Sequence, residues 1–232
     1  MRRFLSSIVV LSICLVPWVP VRASGPYTPE VLVDVVKPSV VRIMTHTVGE
    51  AEIPSIKVDI RRGLIAVDDT VEPRKIKVDE YISGSGLIIH PDGYIATNAH
   101  VVSAETIKQM LGSESAMAAF YENALFLSDE EAQGFLQSDQ AEAFGKKILR
   151  TVIDNSRFDF TTEVFVLNPH SEKERAPDLI REAFPAQVKS LNATFVDDDR
   201  DVAIIKIDLD HLPALPLAPD KTLSVGSTAY IF

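Results

Sequence analysis

The residue types able to do chemistry here are few. The chain holds five histidines and one cysteine, Cys14. No His-x-x-x-His pair or cysteine cluster occurs, so a metal site is not expected. No glycine-rich phosphate cradle appears either, and no cofactor is implied. Two segments a hundred residues apart stand out. The first runs from Gly84-Ser85-Gly86 through His90-Pro91-Asp92-Gly93-Tyr94 to Thr97-Asn98-Ala99-His100-Val101-Val102. The second is Asp199-Arg200-Asp201-Val202-Ala203-Ile204-Ile205-Lys206-Ile207. They supply an imidazole and a carboxylate. Covalent hydrolysis by a serine needs such a pair, the imidazole to take the hydroxyl proton and the carboxylate to fix its tautomer. Taken singly, His100 could be a backbone-satisfied histidine at a strand end and Asp201 a turn residue capping a strand. Asp197, Asp198 and Asp199 compete with Asp201.

Several elements must position these residues. Thr28 to Val36 suits a short helix, with Thr28 as cap and Pro29 at the first helical position. Ser39 to Thr45 is rich in β-branched residues and reads as a strand. Residues 49–79, polar and punctuated by proline, read as a long loop. Tyr81–His90 and Tyr94–Thr97 form a hairpin about Pro91-Asp92-Gly93, where proline presets one turn angle and glycine accepts the conformation a β-carbon resists. Good helix formers fill 104–158, with Ser128 and Glu131 spaced as a capping box, so two or three helices are expected there. Strands resume at Thr162–Leu167, Ala186–Phe195 and Val202–Ile207. Six strands are about what a small closed barrel requires. Leu212–Leu217 is a proline-rich connector, and Val225–Phe232 starts a seventh strand. His46, His90, His170 and His211 read as surface or loop residues.

The two segments together resemble the trypsin-like serine proteases of the HtrA/Deg type. The family's Gly-Ser-Gly strand, Gly-Tyr-Ile turn and Thr-Asn-x-His-Val-Val run match Gly84–Val102. Its aspartate before Ala-x-x-Lys matches Asp201, and a Val-Gly step matches Val225-Gly226. The resemblance implies His100 as general base and Asp201 as its orienting partner. It also implies a mainly β fold, the first six-stranded barrel of a double β-barrel protease. The α-helical insertion over about 104–158 departs from the family and reads as a loop expansion at the rim, placed to gate or shield the cleft. The family nucleophile sits in a Gly-x-Ser-Gly-Gly segment, and no such segment occurs in the 232 residues. The expectation is therefore an N-terminal part of the peptidase domain, spanning 24–232 with the second barrel largely absent, and inactive alone. The alternative is a pseudoprotease or truncated product that at most binds polypeptide. The substrates implied are unfolded or misfolded polypeptides, and a homo-oligomer is left open.

Arg2-Arg3, the apolar stretch Phe4–Trp18 and Val21-Arg22-Ala23 follow the pattern of a signal peptide over residues 1–23. Export to the periplasm or beyond follows, with membrane attachment only if that segment is retained. Cleavage would remove Cys14 and with it any disulfide or thiol chemistry. The net charge of the whole chain is −10. After cleavage, 20 basic and 33 acidic residues would leave −13, the opposite of a nucleic-acid footprint.

Overall fold

Strand β1 (Val40–Ile53) and strand β4 (Arg74–His90) pair antiparallel without interruption, from Val40 opposite Leu87 to Ile53 opposite Arg74, in a computed structural model that describes residues 29–124, 128, 135, 139–193 and 201–217. Side chains alternate along a strand. Ile43, Thr45, Thr47, Ala51 and Ile53 of β1 are buried, whereas Arg42, Val48 and Glu50 are exposed. The expected loop over 49–79 is therefore a misreading. Glu50 lies opposite Lys77 and Glu52 opposite Lys75, with Lys75 and Glu52 in an ion pair at 3.3 Å. Opposite charges across a ladder support pairing, so the polar residues decorate the outer face of two long strands. Between them lie β2 (Ile56–Asp59) and β3 (Leu64–Val67), a separate two-stranded sheet whose Ile56 and Val58 are buried.

The remaining strands are β5 (Tyr94–Thr97), β6 (Arg157–Val166), β7 (Phe184–Ala193) and β8 (Asp201–Ile207). The order β1-β4-β5-β8-β7-β6 closes on itself, because β6 also pairs with β1 from Ile43–Val166 to Glu52–Arg157. Closure gives each of those six strands two neighbours, although β4 before Gly86 and β6 before Val164 pair on one side only. The mainly β, six-stranded expectation holds, with longer strands than the sequence suggested. The turn into β5 depends on Gly93, whose φ is +90°. A β-carbon there would lie 2.5 Å from the Ile207 carbonyl oxygen.

Helix α1 (Pro29–Val36) precedes the barrel and starts at the expected proline, while Thr28 lies outside the described residues. The one-turn helix α2 (Ala99–Val102) follows β5 directly. Helices α3 (Glu105–Ala124) and α4 (Asp139–Asn155) fill most of the 104–158 region, and Glu131 of the capping box lies outside the described residues. A short helix, α5 (Ala176–Arg181), caps the outer face of β1 through Leu179, which clusters with Met44 and Leu167. The proposed strand at Val225–Phe232 lies outside the described residues.

Two apolar clusters divide the interior. One joins Ile43, Ile88, Ile95 and Ile205 to Ala99, Val101 and Val102 of α2. The other joins Ala51, Ile53 and Val78, at the far end of the β1–β4 pair, to Ile107 and Leu111 of α3 and Ile148 and Val152 of α4.

Candidate active site

The barrel register brings the two chemically suggestive segments together. Thr97, the last residue of β5, lies opposite Ala203 of β8. Two residues further back along β8 is Asp201, and the antiparallel run places it beside residues 98–100. His100 Nδ1 and Asp201 Oδ2 are 2.5 Å apart. The His100 backbone N–H donates to Asp201 Oδ1 at 2.9 Å. Asn98 Nδ2 donates to Asp201 Oδ2 at 2.9 Å and to the Asp201 carbonyl at 3.2 Å. Asp197, Asp198 and Asp199 lie outside the described residues.

The carboxylate thus accepts three hydrogen bonds, two from His100 and one from Asn98. Burial opposes the ionisation of Asp201, but the His100 N–H, its imidazole and the Asn98 amide outweigh it and hold the carboxyl below its usual range. Hydrogen bonds to the charged form have this effect. An ionised carboxylate facing Nδ1 requires a proton on that nitrogen, which leaves Nε2 as the acceptor. The His100 side chain is 49% exposed, so the imidazole is accessible from solvent. The arrangement can accept a proton from a hydroxyl brought to Nε2 and stabilise the resulting imidazolium.

Threonines hold the backbone around the histidine. Thr97 Oγ1 donates to the Ser85 carbonyl at 2.8 Å, Thr45 Oγ1 to the Val101 carbonyl at 2.6 Å, and Thr106 Oγ1 to the His100 carbonyl at 2.7 Å. Gly84 lets α2 approach β4. A β-carbon on Gly84 would lie 2.4 Å and 2.8 Å from the two Val101 methyls. Sequence reasoning missed Asn98 as a partner of Asp201 and these threonines as supports of the backbone around His100. The one available signal was the Asn98 position, immediately before a turn carrying a histidine.

The other histidines lie elsewhere. His90, His170 and His211 are exposed, whereas His46 is a half-buried residue of β1, stacked on Tyr81 at 4.2 Å and bonded through Nε2 to Asp79 at 2.8 Å. That corrects its reading as a surface or loop residue. Among the described residues, no group of three or more histidine, cysteine, aspartate or glutamate side chains is arranged to hold a metal ion.

A family model, the trypsin-like peptidase domain, matches residues 84–232, well over half the chain. The chain belongs to the trypsin-like peptidase family. Both His100 and Asp201 of this trypsin-like peptidase fall within the matched region. No curated protein matches it in sequence. Among solved structures it is similar to two forms of the HtrA-type protease AlgW with decapeptide. One match covers 86% of this chain and 38% of that chain at 16% identity, with a TM-score of 0.36. The other covers 84% and 37% at 16% identity, with a TM-score of 0.32. The chain thus spans under two fifths of the length of the solved chains it matches. Among the described residues, no helix is long and apolar enough to cross a membrane.

Proposed function

We propose that this trypsin-like peptidase is a serine-type endopeptidase of the HtrA type, exported and acting on unfolded or misfolded polypeptides of the envelope. One observation carries the reading: the His100 imidazole is hydrogen-bonded through Nδ1 to Asp201, whose carboxyl is held below its usual range, while the side chain stays half exposed. In this role His100 is the general base and later the general acid, and Asp201 fixes its tautomer without itself taking the proton. Residues Gly84–Val102 and Asp201–Lys206 carry the likeness to the HtrA type.

The covalent serine mechanism needs a hydroxyl nucleophile as well as the base. The 232 residues contain no Gly-x-Ser-Gly-Gly segment, so the catalytic reading requires a serine that these residues do not supply in that motif. The same observation favours a second reading, a non-catalytic chain that binds polypeptide. Two preparations separate them, residues 24–232 alone and the protein isolated from its native source, each tested on casein and with a fluorophosphonate probe. The isolated 24–232 segment is expected to be inactive, and casein hydrolysis by it that disappears in His100→Ala would refute that. The native protein is expected to label, with labelling lost in His100→Ala. Absence of labelling in the native protein would favour the binding reading.

A further inference from the structure

We infer that Asn98 is a positioning residue that clamps Asp201, and through it holds His100 in the Nδ1–H tautomer. This rests on the reading of His100 and Asp201 as base and orienting partner, and adds a third member to them.

The argument begins with a residue out of its ordinary role. Asparagine at the flank of a helix usually accepts a hydrogen bond from one of the first helical N–H groups. Asn98 has the extended backbone of such a cap, with φ −77° and ψ 143°, yet its side chain makes no cap hydrogen bond. The second amide of α2, that of His100, is taken instead by Asp201 Oδ1 at 2.9 Å, across the β5–β8 ladder. Freed from capping, the Asn98 amide turns to Asp201. Its two contacts there are both acceptors, the carboxylate Oδ2 at 2.9 Å and the main-chain carbonyl at 3.2 Å. Only the nitrogen end of the amide can satisfy both. Gripping carbonyl and carboxylate of one residue limits rotation of the Asp201 side chain. Oδ2, so fixed, is the atom that faces His100 Nδ1.

Asn98 is itself exposed, so replacing it removes no core packing, and with no cap bond to lose it should cost the helix little. The test uses long-range proton–nitrogen NMR on the 15N-labelled chain, at a pH where the imidazole is neutral. In the unmodified chain Nδ1 is expected to be the protonated nitrogen. Asn98→Asp keeps the shape but replaces the donor with a like charge beside Asp201. Asn98→Ala removes the donor and adds no charge. Both should lose the Nδ1–H form as the major tautomer, with the two His100 nitrogen shifts moving toward each other, while the backbone amide spectrum stays dispersed. Retention of the unmodified nitrogen signature in either variant would overturn the clamp. If Asn98→Asp does not fold, Asn98→Ala decides by the same spectrum, and collapse of both would show a structural role and also overturn it. The readout involves no substrate, so the clamp can stand where fluorophosphonate labelling fails, and fail where labelling succeeds.

Discussion

Gly84→Ala should damage the site from behind. The new β-carbon would lie 2.4 Å from Val101 Cγ2, 2.8 Å from Cγ1 and 3.2 Å from Cβ. Carbon pairs prefer roughly 3.5–4.0 Å, so the nearest contact is more than about an ångström too short. Val101 cannot easily yield. It is 3% exposed, and its branched side chain has a stiff χ1. Its carbonyl accepts the Thr45 hydroxyl at 2.6 Å, which ties the helical turn to β1. Overpacking of this kind costs about 1–3 kcal/mol, or roughly a 5- to 140-fold fall in the folded-to-unfolded ratio.

Urea unfolding followed by far-UV circular dichroism measures the cost, and a cycle with Val101→Ala assigns its cause. Val101→Ala removes both clashing methyls, so Gly84→Ala should cost about 0.5–3 kcal/mol less in that background, the usual range for residues in contact. Gly145→Ala is the control. Gly145 lies inside α4 with nothing within 4 Å of a built β-carbon, so alanine there should stabilise by up to about 1 kcal/mol. The reasoning is refuted if Gly84→Ala costs less than about 0.5 kcal/mol or costs the same with and without the valine methyls.

Two pH dependences follow from the carboxylates. Asp201 is held below its ordinary pKa of 3.8, so its contribution to stability is complete above that value and lost as pH falls through the depressed one; a carbon-detected titration placing Asp201 at or above 3.8 would contradict this. Asp68 is held down to about 2 by the Lys57 ammonium at 2.7 Å and by the Thr70 hydroxyl and N–H. Its contribution should be present above 3.8 and disappear as pH falls through about 2, and Lys57→Met should move its titration back up toward 3.8.

How much of this could be read in advance depended on whether the cause was local. The Pro91-Asp92-Gly93 turn was legible because its chemistry lies within three residues. Strands β5 and β8 were legible because Ile95, Ile205 and Ile207 mark a buried face. The pairing of His100 with Asp201 was implied by the family resemblance, whose Ala-x-x-Lys pattern falls on Ala203–Lys206, and the ladder gives that pattern its physical meaning, with Thr97 opposite Ala203. Residues 49–79 were misread because their alternation is weak on one strand alone. Glu50 and Glu52 make sense only opposite Lys77 and Lys75, some 25 residues away. The role of Asn98 was missed for a related reason, its position before the histidine turn being the one local signal. Its local preference is to cap, and only the arrival of Asp201 from another strand redirects it. His46 likewise shows its role only when Tyr81 is brought alongside.

The topology explains how a helical insertion can separate two members of one site without moving them. His100 and Asp201 are a hundred residues apart in the chain but sit on α2 and β8, the first packed against the end of β5 and the second paired with it. Their relative position is set by the β5–β8 ladder and by the cluster of Ile43, Ile95, Val101 and Ile205 beneath them. Thr106, in the first turn of α3, still touches the His100 carbonyl at 2.7 Å. Beyond that turn, the buried residues of α3 and α4 pack instead on Ala51, Ile53, Ile56 and Val78. Ile43 and Ala51 are eight residues apart on one strand, about 26 Å at the usual rise. Changes in α4 packing should therefore act on stability first and on the dyad only through the barrel. Helices α3 and α4 add a second layer of core to the far end of the barrel, and the expectation that the insertion shields the cleft draws no support from where they pack.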